Sequence, residues 1–474
     1  MIIAPPDEIL AADQLGRVHF VGIGGAALSG LARVLVGRGL TVTGSDSKDS
    51  PVLESLRALG IPCFVGHRAE QVDGADTVVI STAVRDDNDE VARARELGLR
   101  VWPRSAAVQS LLRDHTAVVV TGTHGKTTTT SMLVSALIAC DADPSYAIGS
   151  TLLTTGVNAA AGAGPVFVAE GDESDQAILV CTPFGAVVTN IDADHLDHYG
   201  TREAYAAVFD AFLARIEPGG FLVCCVDDPG ASRLAGLAAT RELTVITVGT
   251  RDGCELQARG LAFSGMTSAY DVWDGSKSLG VVTLQVPGRA YVVDSLAALA
   301  AGLQLGYRFE ELAQGLAGFQ GSGRRMEIKG RVGDITVYDS YAHHPVEIAA
   351  DLEAARGLVA AGRLVVLFQP HLVSRTRVFG AEMGAALAAA DQVVVMDIYL
   401  AREQADPAID GSLVAEAVPL PPEQVHYEPV HERVPRRMVE LVRSGDVVLT
   451  LGAGDVTELG PKILTLLEKS EARR

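Results

Sequence analysis

The sequence lacks three features that would each assign it to a particular class of protein. It has no apolar run approaching 18 residues, so it predicts no membrane insertion. None of its six cysteines forms a C-x-x-C pair, which argues against a zinc site and a disulfide framework. The first residues carry no basic segment of the kind that begins a secretory signal. We therefore expect a cytoplasmic protein with reduced thiols.

The sequence also lacks an excess of positive charge. It has 39 basic and 59 acidic residues, which gives a net charge of -20. Nonspecific nucleic-acid binding depends on neutralising phosphates, so no nucleic-acid partner is expected. A local basic pocket for phosphates remains compatible with this balance. The length of 474 residues predicts roughly three domains.

Apolar strand patterns alternate with helical patterns along the whole chain. Strands are predicted at 17–21, 40–44, 77–80, 166–169, 186–189, 364–368, 392–396 and 446–451. This alternation is typical of parallel sheets covered on both faces, so we predict an α/β fold. The domains are expected at residues 1–105, 106–323 and 324–474, with a hinge at 318–323.

The most informative motif is a glycine-rich run that follows the apolar segment 117–120 and precedes a helical pattern at 131–139. The run contains Gly122, Thr123, His124, Gly125, Lys126, Thr127 and Thr128. A turn between a strand and a helix N-terminus directs backbone N–H groups at an anion. Lys126 can reach the β- and γ-phosphates, and the hydroxyl of Thr127 can ligate Mg²⁺. The run therefore predicts a nucleoside triphosphate site; the alternative is a turn that binds nothing.

A second glycine turn follows the first predicted strand. Gly22-x-Gly24-x-x-Ala27 fits the dinucleotide fingerprint, and Asp46 lies at about the right distance to bind a ribose hydroxyl. The pattern suits any diphosphate-linked ligand, NAD or a UDP-sugar alike, and also a tight turn without a ligand. A dehydrogenase is the rival class of enzyme, but it does not explain a lysine-bearing phosphate loop in the next domain.

Two acidic runs, 170–175 and 189–198, follow predicted strands of the second domain. Carboxylates there can hold Mg²⁺ against a triphosphate, and a histidine can ligate a second divalent ion. The alternative is a solvated acidic loop. Two such runs at strand ends beside a phosphate loop favour the functional interpretation.

Several motifs occur together in a fixed order. They are Gly22–Gly25, Gly122–Thr128, Glu170–Asp175, Asp194–Asp197, Tyr341–Pro345, Phe368–His371 and Gly452–Asp455. This series resembles the Mur ligases over nearly the whole chain. The resemblance implies a Rossmann-like N-terminal domain for a UDP-sugar, a central P-loop ATPase-like domain for ATP, and a Rossmann-like C-terminal domain for an amino acid.

The resemblance also implies a reaction. An ATP- and Mg²⁺-dependent ligase would join the lactyl carboxylate of UDP-N-acetylmuramate to L-alanine through an acyl phosphate, in peptidoglycan precursor synthesis. The implied substrate contacts are Gly22, Gly24, Gly25, Asp46, His67, Ser81 and Arg375. The implied catalytic residues are Lys126, Glu173, His195, Arg325, His343 and His344, and the implied metal ligands are Thr127, Glu173 and His195.

The chain departs from the family pattern at the positions that serve the adenosine end of ATP. The usual His-Asn-x-x-Asn is replaced by Ala290, Tyr291 and Asp294 at its three fixed positions, and the second aspartate before the Ala-His-His run is Ser340. Three explanations stay open. Asp339, Asp294 and Tyr291 rebuild the pocket; or the chain is a paralogue with another nucleotide or amino acid; or it is a weakly active or non-catalytic UDP-sugar-binding protein.

The sequence leaves two further points open. Alanine, glycine and serine differ by one small group, whose discrimination is worth only ~1–3 kcal/mol, and a ligase that joins a whole peptide to the same sugar is a further alternative. The oligomeric state is not indicated.

Overall fold

The computed structural model describes residues 3–85, 87–401 and 403–471, apart from the side chain of Asp197. Contacts divide the described residues into two units. Unit 1 takes in the described residues of Met1–Arg259, Asp271–Val282 and Val293–Phe319. Unit 2 takes in the described residues of Gly260–Tyr270, Thr283–Val292 and Gln320–Arg474. None of the helices within the described ranges is long and apolar enough to cross a membrane.

The first sheet of unit 1 has five parallel strands. They are β1 (Val18–Val21), β2 (Val42–Asp46), β3 (Cys63–Val65), β4 (Thr77–Ile80) and β5 (Arg100–Pro103), in the order β3-β2-β1-β4-β5. The connecting helices are α1 (Ala26–Gly37), α2 (Pro51–Ala58), α3 (Asp89–Glu96) and α4 (Arg104–Leu112). The strand order reverses beside β1, which opens a crevice at the carboxyl ends of β1 and β4.

Helices cover both faces of this sheet, and its central strand β1 is buried along its whole length. Val18 and Phe20 of β1 belong to the hydrophobic core that includes Leu31 of α1. Val21 belongs to a separate cluster on the other face with Val91 of α3. Side chains alternate between faces along a strand, so this division follows directly from the sequence of β1.

The second sheet holds the predicted phosphate loop. Within unit 1 its strands are β6 (Thr116–Thr121), β7 (Ser145–Leu152), β8 (Val157–Ala160), β9 (Val166–Glu170), β10 (Gly185–Val188), β11 (Phe221–Cys225) and β12 (Thr244–Gly249), in the order β8-β7-β9-β6-β10-β11-β12. Only β7 and β8 pair antiparallel among these seven. The helices are α5 (Lys126–Ala139), α6 (Leu196–Tyr199), α7 (Arg202–Phe212) and α8 (Pro229–Ala238).

Four elements contribute residues to both units. They are β13 (Leu256–Ser264), β14 (Thr267–Asp274), β15 (Lys277–Leu284) and α9 (Arg289–Gln304). The last helix of unit 1 is α10 (Phe309–Ala317), which packs on α5.

Unit 2 contains the third sheet. Its strands are β16 (Glu327–Val332), β17 (Ile335–Ser340), β18 (Leu364–Phe368), β19 (Gln392–Val395), β20 (Val425–Tyr427) and β21 (Val447–Leu451), in the order β16-β17-β21-β18-β19-β20. All pairs are parallel except β16 with β17. The helices are α11 (Pro345–Arg356), α12 (Val373–Ala386), α13 (Ser412–Glu416), α14 (Val434–Leu441) and α15 (Leu459–Glu471).

Three sheets, mainly parallel, confirm the predicted α/β fold. The strands predicted at 77–80 and 364–368 have the predicted bounds, whereas the strand predicted at 40–44 lies at Val42–Asp46. The helix predicted at 131–139 begins earlier, at Lys126. The domain boundaries at 105 and 323 stay predictions.

Candidate active site

The phosphate loop connects β6 to α5 through two glycines with positive φ. Gly122 has φ 130° and Gly125 has φ 81°. A Cβ on Gly122 would come within 2.2 Å of Thr189 Oγ1, and one on Gly125 within 2.5 Å of Asp294 Oδ1. Only glycine combines this backbone with such close neighbours. The sharp turn brings the loop directly to the N-terminus of α5, the position that favours an anion.

Asn190 holds the loop in this shape. Its Oδ1 accepts from the backbone N–H of His124 at 2.8 Å, and its Nδ2 donates to the backbone oxygen of His124 at 2.9 Å. One amide side chain thus satisfies both polar groups of a loop residue. Thr128, the last predicted loop residue, is buried in the first turn of α5.

Lys126 forms a buried ion pair with Glu173. Its Nζ donates to Glu173 Oε1 at 2.9 Å and to the backbone oxygens of Gly122 and Thr123 at 2.6 and 3.0 Å. Burial opposes the charge on Lys126, but the carboxylates of Glu173, Glu170 and Asp172 outweigh it and raise the pKa of the lysine. The lysine is therefore a fixed positive charge beside the loop.

Glu173 has the properties of a metal ligand. Burial raises the pKa of its carboxyl to about 7, although Lys126 acts in the opposite direction. Its Oε2 is buried and has no hydrogen-bond partner among the residues that the structure describes. His195 Nε2 lies 3.9 Å from the other oxygen, Oε1. A hard divalent cation would satisfy the buried oxygen, so these residues fit the predicted Mg²⁺.

Thr127, the third predicted metal ligand, contacts Glu170, a carboxylate of the first acidic run that was not singled out as a site residue. Its Oγ1 donates to Glu170 Oε1 at 3.0 Å, and Glu170 Oε2 accepts from the backbone of Gly149 at 2.7 Å. Glu170 thus orients the threonine hydroxyl. Its position at the end of a strand, in the same acidic run as Glu173, was the available signal.

Tyr205 of α7 is a second residue that the sequence analysis missed. Its ring is buried, and its hydroxyl lies 2.9 Å from Thr123 Oγ1 and 3.3 Å from Glu173 Oε1. Burial and the charge of Glu173 raise its pKa, so the phenol stays protonated. Tyr205 therefore joins the phosphate loop to Glu173, and a single tyrosine in an amphipathic helix gives no sequence signal for this.

The glycine turn of the first sheet is held by the end of β2. The backbone N–H groups of Gly22 and Ile23 donate to the backbone oxygen of Ser45 at 2.8 and 2.9 Å. Gly24 N–H donates to Asp46 Oδ2 at 2.9 Å. The predicted ribose ligand, Asp46, thus fixes the turn with one carboxylate oxygen.

The remaining predicted sugar contacts lie around this turn. A Cβ on Gly22 would lie 3.2 Å from Ser81 Cβ, and Gly25 is the N-cap of α1. His67 Nδ1 lies 2.9 Å from Ser45 Oγ and 2.8 Å from the buried Glu90 Oε2. The structure therefore brings all six predicted sugar-site residues of unit 1 together at the carboxyl edge of the first sheet.

A cavity of about 460 Å³ begins at this edge. Its lining includes Ser81 and Thr82 after β4, Ser105 at the start of α4, Asp175 at the end of the first acidic run, and the next residue, Gln176. The cavity therefore extends from the carboxyl end of β4 to the end of the first acidic run, after β9 of the second sheet. Its volume falls within the range of small-ligand sites.

An ion pair joins these two parts of unit 1. Arg104, at the start of α4, places Nη2 2.7 Å from Asp172 Oδ2 and 3.5 Å from Asp175 Oδ2. Burial would raise the pKa of Asp172, but Arg104 and other donors outweigh it and lower that pKa. Asp172 is therefore ionised and anchors the acidic run.

Four predicted site residues belong to unit 2. Arg325 Cζ lies 5.3 Å from the ring centroid of Tyr341. His343 Nδ1 lies 2.9 Å from the backbone oxygen of Tyr341, and the buried His344 is the N-cap of α11. Arg375 is also buried, with Nη1 3.3 Å from His371 Nδ1. Their predicted contacts with the amino acid or acyl phosphate stay predictions.

Four positions depart from the family pattern at the adenosine end of ATP, and their surroundings differ. Ser340 Oγ donates a hydrogen bond to Asp351. Tyr291 is buried, Ala290 is exposed, and Asp294 packs against Gly125 of the phosphate loop.

Asp339 is less suited to a rebuilt nucleotide pocket than the sequence suggested. It is fully buried, and its carboxylate accepts from Thr450 at 2.6 Å, Thr457 at 2.8 Å and Arg324 at 3.2 Å. These contacts tie β17 to β21 and to the turn after it. Asp339 is thus already used in the packing of unit 2.

Comparison with known families finds three matches in sequence order. The model of the Mur ligase family catalytic domain matches residues 17–116, that of the Mur ligase middle domain 120–302, and that of the Mur ligase glutamate ligase domain 324–454.

Individual proteins match over nearly the full length. A UDP-N-acetylmuramate–L-alanine ligase from a Nocardioides species is 56% identical over 468 residues, covering 99% of this chain and 100% of the relative. One from Saccharopolyspora erythraea is 51% identical and covers 96% of this chain and 94% of its own. The crystal structure of the UDP-N-acetylmuramate-alanine ligase of Thermotoga maritima superposes with a TM-score of 0.81 at 28% identity, covering 96% and 99% of the two chains.

Proposed function

Because the chain belongs to the Mur ligase family, we propose that it is an ATP-dependent ligase that joins UDP-N-acetylmuramate to L-alanine in peptidoglycan precursor synthesis. The observation that carries the proposal is the arrangement of Lys126, Glu173 and His195 beside the phosphate loop. A UDP-sugar-binding protein without ligase activity would not need a buried lysine–glutamate pair at a helix N-terminus.

The glycine turn and the strand ends around it bind the UDP part of the sugar substrate. The N-terminus of α1, which follows Gly25, is where the helix dipole favours the diphosphate. Asp46, His67 and Ser81 contact the nucleotide or the sugar. The cavity of about 460 Å³ then leads the muramoyl group toward the acidic run that contains Glu173.

ATP binds with its triphosphate on the loop at Gly122–Thr128. Lys126 would exchange its contact with Glu173 for a phosphoryl oxygen, and Thr127, Glu173 and His195 would hold Mg²⁺. When bound, Mg²⁺ supplies positive charge against the triphosphate. The buried Oε2 of Glu173, which accepts no hydrogen bond from the described residues, supports this assignment.

We infer the reaction from the family to which the chain belongs. The lactyl carboxylate is a poor acyl donor, so an oxygen of that carboxylate attacks the γ-phosphorus of ATP, ADP leaves, and an acyl phosphate forms. The amine of alanine then attacks the acyl carbon, loses a proton, and phosphate leaves. Phosphoryl transfer requires positioning and charge neutralisation more than covalent participation of the protein. Lys126 and Arg325 supply positive charge for it.

The third sheet provides the amino-acid site. Arg375 suits the carboxylate of alanine, because a guanidinium can make two parallel hydrogen bonds to a carboxylate. His343 and His344 act on the amine or on the acyl phosphate. The sequence also predicts a cytoplasmic location for the protein, and this location stays a prediction.

The test is phosphate release by the purified protein with ATP, Mg²⁺, UDP-N-acetylmuramate and L-alanine, each omitted in turn. Release that requires all four, with the mass of UDP-N-acetylmuramoyl-alanine in the product, is the expected result. Parallel reactions with GTP, glycine, serine and a peptide test the alternatives raised by Ala290, Tyr291, Asp294 and Ser340. If no combination of nucleotide with amino acid or peptide gives phosphate release, from protein that still binds UDP-N-acetylmuramate, the ligase proposal is refuted and a binding protein is favoured.

A further inference from the structure

Glu90 is a fully buried carboxylate directly behind the proposed nucleotide-sugar contact His67. Its Oε2 lies 2.8 Å from His67 Nδ1 and 2.6 Å from Ser45 Oγ, and its Oε1 lies 3.4 Å from His19 Nε2. His19, on β1, is also buried and has Nδ1 2.8 Å from Thr43 Oγ1. Residues from three separate strands and loops thus converge on one carboxylate.

Helix capping does not explain this carboxylate. Asn88 is the N-cap of α3, and its side chain accepts from the backbone N–H groups of Glu90 and Val91 at 3.0 and 3.2 Å. Asp89 supplies an exposed acid in the same turn. Asn88 therefore already caps the helix, and Asp89 already supplies a negative charge to its first turn. The side chain of Glu90 turns into the sheet instead.

The carboxylate is ionised despite its burial. Burial would raise its pKa, but the imidazoles of His19 and His67 and the hydroxyl of Ser45 outweigh it and lower the pKa of Glu90. Removing a charge from water is costly unless hydrogen bonds replace the lost hydration. The contacts to Glu90 supply that replacement and, in return, fix the groups that make them.

The contacts define the orientation of the His67 ring. Ser45 Oγ donates to Glu90, so its lone pairs face His67, and both Ser45 Oγ and Glu90 Oε2 lie within 2.9 Å of Nδ1. This nitrogen therefore carries a proton and donates inward. The other ring nitrogen, Nε2, lies on the opposite side of a ring that is 25% exposed.

The same network reaches the glycine turn. The backbone oxygen of Ser45 accepts from Gly22 and Ile23, whereas its hydroxyl donates to Glu90. A displacement of Glu90 would thus disturb His67 directly and the turn only through the strand end.

We propose that Glu90 is a positioning residue of the nucleotide-sugar site, which holds Nδ1–H of His67 inward and presents Nε2 as an acceptor to an N–H or O–H group of the nucleotide. The imide N–H of a pyrimidine base and a ribose hydroxyl are the donors of that class. The inference rests on the proposed function, because it requires that His67 contacts the UDP-sugar. An outer partner that fixes the tautomer of a functional histidine is a general device of protein sites.

A double-mutant cycle tests the inference. The dissociation constant for UDP-N-acetylmuramate is measured calorimetrically for the wild type, Glu90→Gln, His67→Ala and the double variant. We expect each single variant to bind about tenfold more weakly, since each loses one oriented hydrogen bond, and the double variant to be no weaker than His67→Ala alone. The KM for ATP should stay within about twofold of wild type. Asp89→Asn, which removes the neighbouring exposed carboxylate, is the matched control and should leave the dissociation constant unchanged.

A purely structural role for Glu90 would give losses that multiply in the double variant, and that result overturns the inference. Nitrogen NMR of labelled histidine provides a second measurement, which does not require the variants at Glu90 to fold. The wild-type His67 signal, assigned by its absence in His67→Ala, should show a protonated Nδ1, and a protonated Nε2 with a bare Nδ1 would also overturn the inference. Wild-type protein that binds no UDP-N-acetylmuramate would refute the proposed function, and the inference with it. Binding of UDP-N-acetylmuramate by the wild type, together with losses that multiply in the double variant, would refute the inference but not the proposed function.

Discussion

Replacing Tyr205 with phenylalanine removes one hydroxyl that connects the phosphate loop to Glu173. The hydroxyl lies 2.9 Å from Thr123 Oγ1 and 3.3 Å from Glu173 Oε1. Thr123 keeps two contacts with the backbone of Asp192 at 2.9 Å, and Glu173 Oε1 keeps Lys126 at 2.9 Å. No partner is left unsatisfied, so the free energy of unfolding should fall by only about 1 kcal/mol.

The effect on metal use should be larger. Tyr205 restrains the carboxylate that we propose as a Mg²⁺ ligand, and loss of such an outer partner typically weakens metal affinity by about 10–100-fold. Titration of Mg²⁺ in the phosphate-release assay, at saturating ATP, UDP-N-acetylmuramate and alanine, should therefore show half-saturation at about tenfold higher Mg²⁺ for Tyr205→Phe. Excess Mg²⁺ should restore most of kcat.

The neighbouring Tyr199 provides the control. Its hydroxyl donates to the backbone oxygen of Glu173 rather than to the carboxylate. Tyr199→Phe removes the same atom from the same aromatic cluster, and should change stability but leave Mg²⁺ half-saturation within about twofold of wild type. Equal Mg²⁺ curves for wild type and Tyr205→Phe, or equal shifts in both variants, would refute the assignment of Tyr205 to Glu173.

Three further variants probe the loop and unit 2. Lys126→Ala should abolish phosphate release while leaving calorimetric binding of UDP-N-acetylmuramate intact; retained turnover would exclude the lysine from phosphoryl transfer. Gly125→Ala should lower the affinity for ATP by at least about tenfold, because a Cβ would lie 2.5 Å from Asp294 at a positive φ; unchanged ATP binding would contradict the loop geometry. Burial raises the pKa of Asp351 to about 6 from 3.8, against the hydrogen bond from Ser340 that lowers it, so its folded-state carboxylate is costly. The contribution of Asp351 to stability in urea should therefore fall by up to about 3 kcal/mol as pH rises from about 4 to 6. Asp351→Asn should gain stability relative to wild type over this range and be more stable at pH 8; parallel pH profiles would contradict this.

The phosphate loop could be predicted because its information is local. Glycines, a lysine and threonines stand in one run between a strand and a helix, and each has a physical role in anion binding. The start of α5 was harder to predict. Residues 127–130 are threonines, which are weak helix formers because of their branched side chains, yet the helix begins at Lys126. Their burial, and the hydrogen bond from Thr130 Oγ1 to the Lys126 backbone oxygen, override that propensity.

Glu90 and Tyr205 could not be predicted, for a different reason. Glu90 follows Asn88 and has the sequence pattern of an acid in the first turn of a helix. Its actual partners, His19 and His67, lie 71 and 23 residues away and meet it only because β1, β2 and the loop before β4 share one edge of the sheet. Contacts of this kind depend on strand order, which single-sequence patterns do not specify.

Two adjacent carboxylates of the acidic run at 170–175 form ion pairs with different parts of unit 1. Asp172 pairs with Arg104 at the exit of the first sheet, and the next residue, Glu173, pairs with Lys126 of the phosphate loop. Adjacent residues therefore connect the part of unit 1 that we assign to the UDP-sugar with the part that we assign to ATP. An acyl phosphate forms only when the carboxylate oxygen and the γ-phosphorus are held in line at roughly 3 Å, so the two sites must keep a fixed spacing. The ion pair of Arg104 with Asp172, which ATP binding leaves in place, restrains that spacing. Before ATP binds, the pair of Lys126 with Glu173 restrains it from the other side of the same peptide bond.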